Sequence, residues 1–397
     1  MQRNSRLLWP VYVPTFLLSF GQGMLVPTLP IYAQTFAESF SLISLVISAA
    51  GIGTLLADIP AGALLSRIGR RRAMIVGTIA IAIATVAMGL ATYYPELLLY
   101  RLVGGIGTAL WNISRMAYLA DVTRASERGR ALSVFGGVNR IGTFVGPAIG
   151  GGMAAIFGLS SPFFAAAVLA IGAALISGIV MEDAETKPIG GHHLPWAVLA
   201  QTARESWREL ATAGSAQVFV QMIRAGRQLV VPLYGATVLG LDVAQVGTVV
   251  SISAAIDMAL FIPAGLVMDR MGRKWATVPS FAVMAIGMGL VPLSSDFLGL
   301  VIATGIIGLG NGMSSGTMMT LGADLAPRGA IGEFMGVWRL VGDAGSTGGP
   351  IIVGAVADLV GLAAAALSLA AVGIIASATL ALFVRETLHR EESPARG

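Results

Sequence analysis

The stretch Gly62-Ala-Leu-Leu-Ser66-Arg67-Ile-Gly69-Arg70-Arg71-Arg72 recurs 203 residues downstream as Gly265-Leu-Val-Met-Asp269-Arg270-Met-Gly272-Arg273-Lys274. Each copy follows an apolar run ending Ile-Pro-Ala-Gly and leads into another apolar run. The same offset aligns Pro60 with Pro263, Gly105 with Gly308, Gly107 with Gly310 and Asp121 with Asp324. Further on, Gly142, Gly146 and Pro147 meet Gly345, Gly349 and Pro350. In the first run of each half the offset slips by one, pairing Pro30 and Tyr32 with Pro232 and Tyr234. A chain built twice on one membrane-embedded plan, with the same basic turn in each half, is the mark of alternating access around a site between the repeats.

Composition agrees with a membrane setting. Of 397 residues 55% are hydrophobic and 12% charged, and mean hydropathy is +0.80; a soluble domain carries roughly twice that charge. The 51 glycines suit helices that pack closely through small residues. Without cysteine there is no disulfide and no thiolate metal site. The net charge of +4 does not point to nucleic acid, because the basic residues sit in short turns where membrane topology accounts for them. The apolar stretch after Arg6 is too long for a cleaved leader and reads as the first membrane helix.

A hydrocarbon core of about 30 Å needs roughly 20 apolar residues per helix. Twelve such runs fall at 7–35, 42–65, 73–93, 96–121, 130–157, 161–181, 214–239, 244–268, 275–294, 297–323, 331–357 and 362–384. With the N-terminus inside, the inner turns hold Arg67, Arg70, Arg71, Arg72, Arg124, Arg128, Arg130, Arg270, Arg273, Lys274 and Arg328, and the tail adds Arg385, Arg390 and Arg396. The outer turns hold Glu38, Glu96, Asp242, Asp296 and Asp358 and no Lys or Arg. This positive-inside pattern predicts cytoplasmic termini at both ends. The expected organisation is an N-terminal six-helix bundle over 1–181, a cytoplasmic linker over 182–213, and a C-terminal bundle and tail over 214–397. In the linker, Trp196, Leu199, Ala203, Trp207 and Leu210 fall at helical spacing and predict an amphipathic helix in the interface. His192 and His193 have no further ligand nearby and read as a solvated loop, not a metal site.

Over nearly its whole length the chain resembles the major facilitator superfamily, and within it the twelve-helix drug/proton antiporters. The basic turn after run 2, repeated in the second half, is similar to the superfamily's loop motif. Gly21-Gln22-Gly23-Met24-Leu25-Val26-Pro27-Thr28-Leu29-Pro30 resembles the proline-rich motif of the exporters. Tyr100-Arg101-Leu-Val-Gly104-Gly105-Ile-Gly107-Thr-Ala109 resembles the run-4 motif whose arginine is implicated in proton coupling. Gly142-Thr-Phe-Val-Gly146-Pro147-Ala-Ile-Gly150-Gly151 resembles the antiporter motif of run 5. Two departures stand out: Ser66 replaces the usual aspartate while Asp269 is intact, and run 1 carries no acid. The resemblance implies an all-α membrane protein of twelve transmembrane helices in two pseudo-symmetric six-helix bundles.

The resemblance also implies that the basic turns latch the bundles in the outward-facing state. The gating residues are then Gly62, Arg67, Gly69, Arg70 and Asp121 in one half, and Gly265, Asp269, Arg270, Gly272, Arg273 and Asp324 in the other. Arg70 is expected to pair with Asp121 and Arg273 with Asp324, because a cation is favoured at a helix C-terminus. Gly142, Gly146, Pro147, Gly150 and Gly151 are expected to pack one bundle against the other.

A charge at the bilayer centre costs about 2.5–3.5 kcal/mol even on a lenient scale. Asp58, Arg101, Arg115, Arg140, Arg224, Arg227, Asp257, Arg339 and Asp343 must therefore face the protein interior or a wet cavity. The resemblance implies that runs 2 and 11, and runs 5 and 8, face each other across the bundles. With that, matching depths predict two pairs, Asp58–Arg339 and Arg140–Asp257; the alternative for Arg339 is Asp343 at i,i+4. Asp58, Arg101, Asp257 and Asp343 are the proton-coupling candidates. Polar stripes place Gln22, Asn112, Arg115, Arg140, Gln221, Arg224, Gln228, Asn311 and Arg339 at the substrate cavity, with Trp111 and Trp338 as apolar wall beside Met24, Met258 and Met313. The excess of arginine favours anionic or carbonyl groups on the substrate. No phosphate loop, metal cluster or nucleophile constellation marks an enzyme, and no cofactor is expected. The expected function is proton-coupled export of small amphipathic molecules by a single copy in a bacterial cytoplasmic membrane. The alternative is a lipid-headgroup flippase or an uptake carrier for an anionic metabolite.

Overall fold

In hydrocarbon a backbone must satisfy its own polar groups, so long apolar runs fold as helices. The computed structural model describes residues 7–123, 127–181, 196–327 and 329–388, and every regular element among them is helical. The expectations for Arg124, Arg328, Arg390, Arg396, the His192–His193 loop and the side chains of Trp196 and Leu199 lie outside the described residues.

The first half comprises α1 (Val13–Gln34), α2 (Phe40–Ile68), α3 (Arg70–Gly89), α4 (Tyr94–Val122), α5 (Arg128–Phe157) and α6 (Ser161–Val180). A linker helix, α7 (Trp196–Glu205), packs against the second half. That half comprises α8 (Ser215–Leu233), α9 (Val243–Met271), α10 (Arg273–Leu290), α11 (Phe297–Met313), α12 (Thr317–Leu325), α13 (Ile331–Val360) and α14 (Leu362–Phe383). Ten helices among the described residues are long and apolar enough to cross a membrane. The chain is an integral, multi-pass membrane protein. The two runs outside that count, α4 and the segment around α8, carry Arg101 and Arg115, and Arg224 and Arg227.

The duplication read in the sequence is carried by the packing. In the first half α4 packs on α2 and α3, and α1 packs on α5 and α6. In the second half α11 packs on α9 and α10, and α8 packs on α13 and α14. Gly105 lies against the backbone of Ala50, and Gly308 lies against that of Ser253, its repeat mate. A side chain at either position would collide with backbone, so glycine is required for the approach. The turns at Gly69 (φ 81°) and Gly272 (φ 120°) use the same left-handed geometry to reverse the chain between helices.

One element departs from the expected pattern. The tenth run is not a single helix over 297–323. It breaks after Met313, turns through Ser314–Gly316 with Gly316 at φ 76°, and resumes as α12. Broken helices at membrane depth occur where the freed backbone lines a cavity or is buried in protein.

The halves meet along two seams, α5 with α9 and α2 with α13. The ends of these seams far from the basic turns are tight. Gly151 fits against Val243 and Gly247, Gly247 against the carbonyl of Pro147, and Gly354 against Ser44 and Phe40. At the basic-turn ends the seams part: Gly136, Gly137, Gly265 and Gly332 have open space where a side chain would go. Leu132, Val134 and Arg339 are exposed there. The molecule is closed on one face and cleft on the other.

Candidate functional site

The cleft ends on a chain of charges that crosses the seam. Arg140, midway along α5, reaches α9 of the other half, with Nη1 2.6 Å from Asp257 Oδ1. Its Nη2 donates to Ser315 Oγ at 2.6 Å, and its guanidinium lies over the ring of Phe261. The second oxygen of Asp257 accepts from Asn311 Nδ2 at 2.7 Å. Asn311 Oδ1 in turn accepts from Arg224 Nε at 2.9 Å. Arg224 also donates to Ser314 Oγ (2.7 Å) and Gln221 Oε1 (3.3 Å). The break between α11 and α12 explains this geometry, since it delivers Ser314 and Ser315 to the two arginines. Sequence reasoning missed both serines; the signal was the short polar run Ser314-Ser315-Gly316 inside an apolar stretch.

Two cavities flank the network. One, of about 210 Å3, is lined by Arg227, Gln228, Asp257 and Thr304. The other, of about 330 Å3, is walled mainly by the first half and is lined by Gln22, Thr54, Arg101 and Thr108, with Gln228 from the second half. Val26, Thr143 and Gln228 line both. Arg115 lies apart, buried over the ring of Phe135 at 4.1 Å and near Trp111 at 5.8 Å. Asn112, beside it on α4, is half-buried.

The closed face has a clasp that the sequence did not reveal. Asp358, near the end of α13, accepts from Ser39 Oγ (2.7 Å), Phe40 N (2.6 Å) and Ser41 N (2.9 Å) at the start of α2. On the other seam Ser251 of α9 enters α5. It accepts from Ala148 N and donates to Phe144 O, both at 2.8 Å, and so occupies a rung of the helix ladder beside Pro147. A side chain inserted there bends a helix.

On the cleft face the two expected turn pairs are formed. Arg70 Nε is 2.5 Å from Asp121 Oδ2, and Arg273 Nε donates to Asp324 Oδ2 at 2.8 Å. Arg273 also lies 3.9 Å from the exposed Asp269. Arg67 and Arg270 are exposed, and Ser66 bonds only locally to Ala63 O. Gly62 is half-buried in the turn. Glu386 accepts from Arg273 N (2.9 Å) and Lys274 N (3.0 Å), capping α10, which has no side-chain cap of its own. Burial alone would raise the Glu386 carboxyl; the N–H bonds from Leu388, Lys274, Arg273 and Thr387 outweigh it and hold the group below its ordinary value.

Three expectations need correction. Arg339 forms its ion pair with Asp343, one turn along α13 at 3.6 Å. Asp58 lies within the field of Arg339 but forms no ion pair with it, and Asp58 Oδ1 is buried without a hydrogen-bond partner. The cleft parts the seam at that height, leaving the i,i+4 partner nearer. Gly142, Gly146 and Gly150 pack on α1 within their own half, against Ser19, Gly23 and Met24; of the five motif residues Gly151 and Pro147, whose carbonyl faces Gly247, meet the other half. Trp338, Trp111 and Met24 are at most 3% exposed and are packed core, with Trp338 stacked on Phe334.

A family model described as Major Facilitator Superfamily matches residues 11–223 and again 213–397. The chain belongs to the Major Facilitator Superfamily. An MFS-type transporter of Methanocaldococcus jannaschii is 25% identical over 367 residues, 91% of this chain and 93% of that protein. Multidrug resistance protein 2 of Bacillus subtilis is 29% identical over 168 residues, a match that spans 42% of each chain. Among solved structures, a bacterial homologue of the human lysosomal transporter Spinster, in an inward-facing and occupied conformation, superimposes with a TM-score of 0.81 at 15% identity. That match covers 96% of this chain and 97% of the other. This MFS chain is therefore a membrane transporter with the superfamily's two-bundle fold.

Proposed function

We propose that the protein exports small amphipathic molecules in exchange for protons by rocker-switch alternating access. The observation that carries the reading is Asp257, an acid inside the membrane whose arginine partner sits on the opposite half. Separation of the halves at that height parts Asp257 from Arg140, and this acid, whose partner comes and goes with the transport cycle, is the proton carrier of the proposed exchange. Asp58 and Asp343, close to Arg339 on the α2–α13 seam, are the further carriers, and Arg224, Gln221, Gln228 and Asn311 form the polar floor against which a substrate lies. The likeness to a multidrug resistance protein supports the export direction.

In this reading residues 1–181 and 214–397 are the moving bundles and 182–213 the linker. Both termini are cytoplasmic, the cleft faces the cytoplasm of a bacterial cell, and one copy suffices. The turn pairs Arg70–Asp121 and Arg273–Asp324 hold each basic loop ready to latch against the opposite bundle once the cleft closes.

Purified protein in proteoliposomes tests the proposal. An imposed pH gradient should drive radiolabelled amphipathic substrate uphill. Asp257→Asn should abolish uphill movement while sparing counterflow exchange, which needs no net proton transfer. Substrate accumulation indifferent to the gradient would remove the coupling claim.

A further inference from the structure

We infer that the first half contains an anion subsite, in which Arg101 binds the carboxylate or sulfonate of an amphipathic organic anion. Arg101 lies on α4 inside the 330 Å3 cavity of that half. Its Nε is fully shielded, and the guanidinium has no hydrogen bond or ion pair among the described residues. An unpaired guanidinium inside a membrane protein is costly and persists where a ligand supplies the missing charge.

The internal repeat shows what is missing. Thr54, Thr108 and Gln22 of this cavity occupy the places of Asp257, Asn311 and Arg224 in the second half, at offsets of 203, 203 and 202. There Asn311 joins Asp257, which is ion-paired with Arg140, to Arg224, so the arginine's donors are engaged. In the first half the acid's place is held by Thr54, whose hydroxyl is spent on the carbonyls of Ala50 and Gly105, and Thr108 donates to Gly104 O. The free donors left facing the space are Arg101 and the amides of Gln22 and Gln228, a set matched to one carboxylate. Leu25, Ile47 and Met88 wall the rest of the cavity and fit an apolar body. Val26, Thr143 and Gln228 line this cavity and the one beside Asp257 alike, so an anion bound there lies next to the central network.

The inference rests on the transporter reading, and its test is independent of coupling. Radiolabelled 2-naphthoate is bound to the purified full chain in detergent, beside its neutral amide and the cationic 2-naphthylmethylamine. The wild type should prefer the carboxylate by about tenfold or more, the range expected of a charge-assisted hydrogen bond. Arg101→Met should erase that preference, and Arg101→Lys should keep part of it, since an ammonium retains the charge and loses the planar fork. Arg101→Met should also melt at a higher temperature than the wild type without ligand, because an unpaired charge has been removed. Equal binding of the three probes by the wild type, with no Arg101-dependent stabilisation by phosphatidylglycerol over phosphatidylcholine nanodiscs, overturns the subsite. Such stabilisation by phosphatidylglycerol alone supports it with a lipid headgroup as occupant; carboxylate preference in lipid-free detergent supports it with a free organic anion. Retained carboxylate preference in Arg101→Met refutes it whatever the wild type does. A wild type that moves substrate in a pH gradient yet shows neither response leaves the export proposal standing and removes the subsite. The converse pattern removes coupling alone.

Discussion

Replacing Asp358 by alanine measures what holds the closed face shut. The carboxylate takes three donors from the start of α2, at 2.7, 2.6 and 2.9 Å, two of them backbone N–H groups of the first turn. It therefore acts as an N-terminal cap supplied by the other half of the molecule. Loss of a capping acceptor costs about 0.5–2 kcal/mol, and an anion at a helix N-terminus contributes about 0.3–1 kcal/mol more when exposed. Because these groups are exposed, the low end applies, and about 1 kcal/mol is a fair total. That energy exists only while the face is closed, so its loss should raise the ratio of open to closed outer face by roughly fivefold. The chain has no cysteine, so spin labels can be placed uniquely at Leu42→Cys and Leu359→Cys, both exposed in this state. Double electron–electron resonance should show a growing long-distance population in Asp358→Ala and a smaller one in Ser39→Ala, which removes one donor. A distance distribution changed by less than twofold in Asp358→Ala would refute the clasp and assign closure to the other seam.

That other seam predicts its own behaviour. In Gly247→Val the new side chain meets the carbonyl of Pro147, so the closed face should be destabilised by about 1–3 kcal/mol, read as a lower melting temperature and a shift in the same label distances. Ser251→Ala removes the hydroxyl that bridges Ala148 N and Phe144 O; the two backbone groups can then bond each other directly, so stability should fall by no more than about 1 kcal/mol while the transport rate changes. Glu386 has a lowered carboxyl pKa, so its contribution is present above its ordinary value of 4.5 and is lost as pH falls through the folded-state value below that. Thermal unfolding followed from pH 6 to pH 3 should show this loss in the wild type and a flatter profile in Glu386→Gln.

The fold was legible because it is written twice. The offset of 203 residues predicted that Gly105 and Gly308 serve the same contact, and each lies against the mate of the other's partner. The turn pairs were legible for the same reason: Arg70 with Asp121 and Arg273 with Asp324 are one contact in two copies. Depth along a helix, together with the facing of runs 5 and 8 that the family resemblance implies, was enough to find Arg140–Asp257, whose seam is closed at that height. It failed for Asp58 and Arg339, because depth says nothing of whether a seam is open. Ser251 and Asp358 were illegible, since each acts on backbone groups at a local break or a helix end, and no spacing rule records where those lie; Ser314 left only the polar run Ser314-Ser315-Gly316 as a signal.

The functional groups collect where the two copies differ. Arg140 and Asp343 occupy the same place in α5 and α13, yet one is a cation reaching across its seam and the other an anion paired along its own helix. The two seams are consequently fastened at different heights. The α5–α9 seam carries its crossing ion pair midway along both helices, with the Gly151–Gly247 contact beyond it. The α2–α13 seam carries its crossing bonds at the far end, through Asp358, and leaves Asp58 without an ion pair or a hydrogen bond to its Oδ1 at the cleft. Opening the closed face must therefore break the α2–α13 fastening at once, whereas the Arg140–Asp257 pair lies closer to the pivot and parts only as the motion completes. An ion pair placed near the pivot parts last, so the Arg140–Asp257 contact would report the completed swing and not its first step.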